Sequence, residues 1–406
     1  MSALPATQGA ADSGRAPARL LALLIAMTGV SSLSLNILAP AIPTLVVKFA
    51  TEPANVQLTI SLYLMGLAVA QLVFGPLSDR FGRRPVVLSG LALASVASTA
   101  AIFAGSIVSL VLWRVLQSLG ASTGQTIGRA IIRDIYDRER AASMIGLVTS
   151  VVVLMPMLAP LLGGILDTLF GWRSIFVFSA ALTGFVFLWT AIALPETRKP
   201  DSRPGENRFR SDLGALATSP RFFGYALCAG LGSAPFFSLL GGAPHVVVNM
   251  LGRNSAEYGI WLFLPSFGFM AGNFAVSRLA MRLGLSGLIW RGIGLSILGC
   301  LLATLSYVAF PGWEMASLFV PHVMVGFGNG LLLPAAIAGA VSLRPQVAGT
   351  ASGLTGFIQM GIAAAAAQLS GHLIAGASSA LPMLVLMLLF AMAAAVAVFT
   401  LVTPPR

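Results

Sequence analysis

Between two apolar runs the chain carries a short, strongly basic turn, Gly75-Pro76-Leu77-Ser78-Asp79-Arg80-Phe81-Gly82-Arg83-Arg84-Pro85. The flanking runs, from about Val56 to Phe74 and from about Val86 to Ile107, each approach the ~20 residues that a membrane-spanning helix requires. A water-soluble core has no use for such a pair. In a bilayer it has one, because a helix satisfies every backbone polar group within itself. One acid among three arginines then lies at the lipid–water boundary. Basic loops are retained on the cytoplasmic side, so the turn marks the inner face.

Composition extends this reading to the whole chain. Of 406 residues 57% are hydrophobic and 9% charged, against roughly 25% charged in soluble domains. Apolar runs separated by charged or Pro/Gly breaks predict twelve spans, beginning near Leu20, Val56, Val86, Val108, Ala141, Trp172, Phe222, Tyr258, Ser286, Glu314, Val347 and Ser379. The expected fold class is an all-α membrane protein, since the alternating pattern of barrel strands is missing. The net charge of +11 is topological rather than a nucleic-acid surface. Arg80, Arg83, Arg84, Arg133, Arg198, Lys199, Arg278, Arg282 and Arg344 all fall in segments that a twelve-span arrangement with both termini inside places in the cytoplasm, and the outer segments hold little more than Lys48, Arg173 and Arg253.

The only long polar loop, Pro195 to Pro220, divides the spans six and six. The expected organisation is a cytoplasmic tail over 1–19, a six-helix bundle over 20–194, a cytoplasmic linker over 195–221 and a second bundle over 222–406, the plan of transporters whose halves rock about a central site. Met1 to Ala18 is followed by no convincing cleavage site, so the first helix reads as uncleaved. Ser277 to Gly284 echoes the opening turn at the matching place in the second half, without the acid. Cys228 and Cys300 fall inside apolar runs and read as free thiols. No cofactor, no metal and a monomer in membrane lipid are expected.

Within the spans, polar residues mark a candidate pathway. Arg114 lies inside span four, where a guanidinium costs at least ~2.5 kcal/mol unless it faces water or a partner. Gln117, Ala121 and Gln125 share its face. Gly120, Gly124 and Gly128 recur beside that stripe and permit close helix approach. The stripe suits a cavity lining; the alternative for Arg114 is snorkelling to the headgroups. In span five, Pro156 and Pro160 predict a kink, and Gly163 and Gly164 predict tight packing against a helix of the other half.

Gly75 to Pro85 matches the G-x-L-x-D-R-x-G-R-R signature of the major facilitator superfamily. Val56 to Tyr63, Gln71 to Phe74, Arg129 to Asp134, Trp172 to Phe176 and Leu194 to Thr197 resemble its drug:proton antiporter branch, the bicyclomycin and chloramphenicol resistance exporters. The resemblance implies a gate at Gly75, Asp79, Arg80, Gly82, Arg83 and Arg84, with Asp79 locking the two bundles in one conformation by pairing with arginines and facing a helix N-terminus. It places Arg114 in the transport pathway. Pro156, Pro160, Gly163 and Gly164 resemble the exporter motif G-P-x-x-G-G, with Ala159 in place of its leading glycine.

One departure shapes the expected chemistry. Asn36 stands where relatives commonly have an aspartate in span one, and all thirteen acids read as lying in loops or at span ends. A cavity of Asn36, Arg114, Gln117, Gln125, Asn329 and Gln359 should then prefer neutral or anionic small molecules to lipophilic cations, with protons as the coupling ion through Asp79 or His322. Export of a cell metabolite is the nearest alternative. A copper or other metal transporter is a weaker one, because Met155 and Met157, like His322 and Met324, are two apart and point to different faces. No nucleotide loop or nucleophile–base pair supports an enzyme.

Overall fold

The computed structural model describes residues 18–136, 144–145, 147–149, 151–152, 154–197, 214, 216, 218–344 and 348–402. Most of the expected tail, linker residues 198–213 and the expected start of span five at Ala141 lie outside these. All regular structure among the described residues is helical. Helix α1 (Ala18–Asn36) leads through a one-turn 3-10 segment, Ala39–Ala41, into α2 (Ile42–Phe49). Next come α3 (Pro53–Phe81), α4 (Arg83–Ile102), α5 (Ile107–Ile135), α6 (Met155–Phe170) and α7 (Arg173–Ala193). The second half holds α8 (Pro220–His245), then a long helix Ser255–Ala309, called α9 before its break at Gly284 and α10 after it. Last are α11 (Glu314–Phe319), α12 (His322–Ser342), α13 (Ala348–Ala375) and α14 (Leu381–Leu401).

Ten helical segments among the described residues are long and apolar enough to cross a membrane, and α6 is a shorter apolar helix. Helix α5 is 29 residues long and carries four charged residues, Arg114, Arg129, Arg133 and Asp134.

Local chemistry explains the boundaries. Ser106 caps α5 by accepting from the Ser109 amide at 3.2 Å, with the reciprocal bond from the Ser106 amide to Ser109 Oγ. Asn254 caps α9 by accepting from the Glu257 amide at 2.8 Å. Pro40 and Pro43 break the first span between α1 and α2. The basic turn is shorter than its sequence suggests. Helix α3 continues through Gly75 and Asp79 as far as Phe81, and the chain reverses only at Gly82, with φ 99°. Gly284 in the second-half echo also has positive φ, 63°, so the repeat survives in the backbone although Met281 replaces the acid.

Helices α1–α7 pack mainly among themselves, as do α8–α14, and the groups meet chiefly where α3 crosses α13 and α6 crosses α9. The cores reveal an asymmetry. Near the face opposite the basic turn a single apolar core draws Leu38, Ile42, Leu45 and Tyr63 from the first group together with Leu240, Val246, Tyr258 and Phe319 from the second. Towards the basic face the cores are separate, one around Leu24, Val87, Ile127 and Ile131, others around Ile289, Leu332 and Val398 and around Phe222 and Ala351. The two groups share an apolar core at one end and keep separate cores at the other.

The glycine row of α5 serves two neighbours. A Cβ on Gly124 would overlap the Met27 carbonyl of α1, and one on Gly120 would lie 2.6 Å from the Ala94 amide nitrogen of α4. Because backbone cannot yield as a side chain does, Gly124→Val is expected to lower stability by about 1–3 kcal/mol, read as a lower thermal midpoint of the purified protein. Gly105→Ala, in open space, should leave that midpoint unchanged.

Candidate functional site

A cavity of about 330 Å³ opens on the basic face, between α3, α5 and the start of α13. Gln71, Gly75 and Asp79 line it from α3, Gln125 and Arg129 from α5, and Gly349 and Thr350 from α13. Its charged lining comprises three guanidiniums, of Arg83, Arg129 and Arg133, against two carboxylates, of Asp79 and Asp134.

The basic turn forms the cavity's rim. Arg83 pairs with Asp79 one turn before it, and its Nε donates to Asp134 Oδ2 at 2.9 Å. A further bond runs from Arg83 Nη1 to Ser78 Oγ at 2.6 Å. Glu196 accepts from the backbone amides of Arg83 and Arg84 at 2.9 and 3.1 Å, so a carboxylate beyond α7 caps the N-terminus of α4. Gly82 is required twice over, by its φ and by a Cβ that would sit 2.7 Å from Glu196 Oε2. Arg84 Nη2 donates to the Ala191 carbonyl at 2.7 Å, and Arg80 stacks over Phe81 at 5.3 Å. Asp79 thus pairs within its own helix group in this conformation. Gly75, expected to form the turn, is a helical residue of the lining.

Arg114 neither snorkels nor lines the cavity. It is 1% exposed, enclosed by α1, α3 and α5. Its Nε donates to the Thr59 carbonyl at 3.2 Å and its Nη1 to the Ser34 carbonyl at 2.9 Å and to Gln117 Oε1 at 2.6 Å. The guanidinium lies 4.1 Å from the Tyr63 ring centre, a cation–π contact. Gln117 passes the network on by donating to Ser98 Oγ at 2.7 Å. A planar fork is needed to reach these acceptors from one side chain.

Of the six expected pathway residues only Gln125 borders the cavity. Asn36, Arg114, Gln117, Asn329 and Gln359 are all buried, because their spans turn those faces toward neighbouring helices. Asn36 donates to the Ser32 carbonyl at 2.8 Å, and its Oδ1, like that of Asn329, has no partner. His322 is buried at the first residue of α12, with Nδ1 against the Leu318 carbonyl and Nε2 unpaired.

The span-five residues divide between two contacts. Gly163 abuts the Ile37 carbonyl in the broken first span, and Gly164 abuts Ser255 of α9 in the other helix group. Only Pro160 is inside α6. Pro156 occupies its first turn, where a missing N–H costs nothing, so of the two prolines only Pro160 removes a helical hydrogen bond. Asp167 lies at a span end as expected, near the end of α6, but it is buried there, 7% exposed. Sequence reasoning passed over Asp167, Glu196 and Tyr63 as site residues; the Val56 to Tyr63 and Leu194 to Thr197 matches were the available signals for Tyr63 and Glu196.

The sequence pattern of the Major Facilitator Superfamily matches residues 24–368. The chain belongs to the major facilitator superfamily. It is similar to multidrug resistance protein D of Escherichia coli strain K12, 32% identical over 346 residues that cover 84% of this chain and 85% of that one. It is also similar to the multidrug transporter MdfA of Edwardsiella piscicida, 30% identical over 80% of this chain and 79% of that protein. A chloramphenicol resistance protein of Pseudomonas aeruginosa is 30% identical over 79% and 76%. In fold it resembles a bacterial homologue of the human lysosomal transporter Spinster in an inward-facing, unoccupied conformation, with a TM-score of 0.74 at 18% identity, covering 97% of this chain and all of that one. This facilitator is therefore a multi-pass transporter of the inner membrane and not an enzyme.

The Arg114 network makes a quantitative expectation. Arg114→Lys keeps the charge but cannot span the Thr59, Ser34 and Gln117 acceptors together, and losing one charge-assisted bond of ~1.5 kcal/mol corresponds to roughly tenfold. Transport by Arg114→Lys in vesicles should fall by about that factor, and Arg114→Ala further, at normal membrane abundance. Full activity of both variants would remove the network from the transport cycle.

Proposed function

We propose that this facilitator exports small neutral or anionic amphiphiles, of phenicol- or bicyclomycin-like chemistry, across the inner membrane by alternating access coupled to proton entry. The observation that carries the reading is the asymmetry of the cores: a shared apolar seal at one end and a cavity between the helix groups at the other. By the positive-inside rule the cavity opens to the cytoplasm and both termini lie there, so the conformation is ready to load a cytoplasmic molecule. The same asymmetry supports a division into bundles over 20–194 and 222–406 that rock about the seam. The excess of guanidinium over carboxylate in the lining favours anions and neutral acceptor-rich molecules and disfavours lipophilic cations. The resistance proteins among the relatives support a drug substrate.

The gate reading accommodates the absence of a cross-bundle contact from Asp79. Its carboxylate borders the same cavity as Gly349 and Thr350, at the start of α13. When the cavity closes, Asp79 comes to face the positive N-terminal end of α13, while Arg83 holds it in place.

Expression in an efflux-deficient host, screened against chemically varied inhibitors with and without a protonophore, tests the function. Raised inhibitory concentrations for neutral or anionic amphiphiles, abolished by the protonophore, are expected. Resistance confined to cations would overturn the stated selectivity. Resistance to nothing would favour a cell metabolite as substrate. Asp79→Asn should reach the membrane at wild-type abundance and lose nearly all transport, because an amide cannot make the charge-assisted contact; the readout is efflux of a selected compound from loaded cells.

A further inference from the structure

The seal at the end opposite the cavity contains an acid. Asp167 lies near the C-terminal end of α6, among the apolar side chains that close the pathway, and is 7% exposed. Its Oδ2 accepts from Thr44 Oγ1 of α2 at 2.7 Å and from Ser255 Oγ, at the first residue of α9, at 2.9 Å. Oδ1 is equally buried and has no hydrogen-bond partner. Thr44 and Asp167 belong to the first helix group and Ser255 to the second. A single carboxyl oxygen therefore ties three helices across the seam. The backbones close tightly around it: Gly164, three residues earlier on α6, abuts the Ser255 carbonyl, and a Cβ on Gly259 of α9 would lie 2.6 Å from the Pro160 carbonyl.

Among the described residues no charged group on the surrounding elements pairs with Asp167. Lys48, at the end of α2, is exposed. Arg173, opening α7, donates to the Ile102 carbonyl at 3.0 Å and stacks on Trp172. Glu257 on α9 pairs with Arg253 at 3.8 Å. Tyr258, one turn past Ser255, is buried with its hydroxyl unpaired. Asp167 is consequently enclosed without a cation. An ionised carboxylate held in that way, with one oxygen unpaired, is among the costliest groups a seal can contain. The neutral acid keeps both hydroxyl bonds on its carbonyl oxygen and carries no charge. Once the seam parts, water reaches the group and the ionised form is solvated. Sealing and proton binding are then linked.

We propose that Asp167 is a proton-binding latch of the outer seal: the protonated carboxyl closes between Thr44 and Ser255, and loss of its proton to the outer side releases them. Asp167 is a positioning residue, separate from the gate at Asp79. Its proton returns to the side it came from, because the closed seal buries the group away from the cytoplasmic cavity. The latch makes the conformational cycle sensitive to external pH. It rests on the alternating-access reading and adds a control to it.

Spin labels on Lys48→Cys and Trp313→Cys, two exposed sites at this end on opposite helix groups, report the seam in lipid nanodiscs once the buried Cys228 and Cys300 are replaced by alanine. The measurement needs no substrate. The ratio of sealed to open distances should fall as pH rises, approaching ~10-fold per pH unit, the limit for one proton. Asp167→Asn, a permanently neutral acceptor, should stay sealed at every pH. Ser255→Ala should lower the sealed ratio by about 2- to 10-fold, the loss of one neutral hydrogen bond, while keeping the slope. A ratio independent of pH in the unmodified latch, or a wild-type slope in Asp167→Asn, overturns the proposal. If Asp167→Asn does not fold, unchanged sealed ratios in both Ser255→Ala and Thr44→Val overturn it instead. A chain that exports no drug yet shows the slope keeps the latch and loses the drug reading; one that exports drug without the slope loses only the latch.

Discussion

The two helix groups cohere through backbone proximity, and everything else in the molecule is arranged around the places where that proximity is allowed. Lipid tails are as apolar as leucine, so helices in a bilayer gain little by burying one another and depend on close packing and interhelical hydrogen bonds. Gly164 and Gly259 bring α6 onto α9, and Gly356 and Gly371 bring α13 onto Gln71 and Gln57 of α3. Ser61 Oγ donates to Gln368 Oε1 at 2.7 Å across the same α3–α13 crossing, and Gln368 Nε2 donates to the Ala54 carbonyl at 3.0 Å.

The shared seal is balanced rather than merely tight. Opening it toward water exposes apolar side chains such as Leu38, Val246 and Phe319, which favours closure by roughly 25 cal/mol per Å² exposed. Against this, the closed state buries polar atoms that have no partner: both ends of the Gln57 amide, the Tyr258 hydroxyl, Ser238 Oγ and Asp167 Oδ1. Each regains hydrogen bonds in water, so hydration favours opening. Opposed contributions of this kind narrow the free-energy gap between a sealed and an opened seam.

Charge within the bundle is handled by one device used twice. Arg114 and Arg83 each gather acceptors from several helices, carbonyls and an amide oxygen in the first case, carboxylates in the second. The guanidinium fork fixes helix rotation by reaching several acceptors at once. Arg114 thereby locks α1, α3 and α5 into a rigid body, and Arg83 sets the rim of the cavity. Glu196 adds a cap from beyond α7, tying the end of the first bundle to the start of α4.

The apolar runs, the basic face, the turns at Gly82 and Gly284 and the membership of the facilitator superfamily were all legible in the chain, because span length, loop charge and turn residues are local properties. The polar face of α5 was legible too, yet periodicity cannot say what a face meets: Gln125 reached the cavity, whereas Arg114 and Gln117 were enclosed by α1, α3 and α4. Asp167 marks the same limit more sharply. In sequence it is an acid near the end of an apolar run; in the folded chain it is buried between Thr44, 123 residues away, and Ser255, 88 residues away. Sequence determined which segments enter the membrane and which way they turn. Tertiary packing alone decided which polar groups face water and which are sealed from it, because burial depends on helices that meet across long separations and leave no mark on their neighbours along the chain.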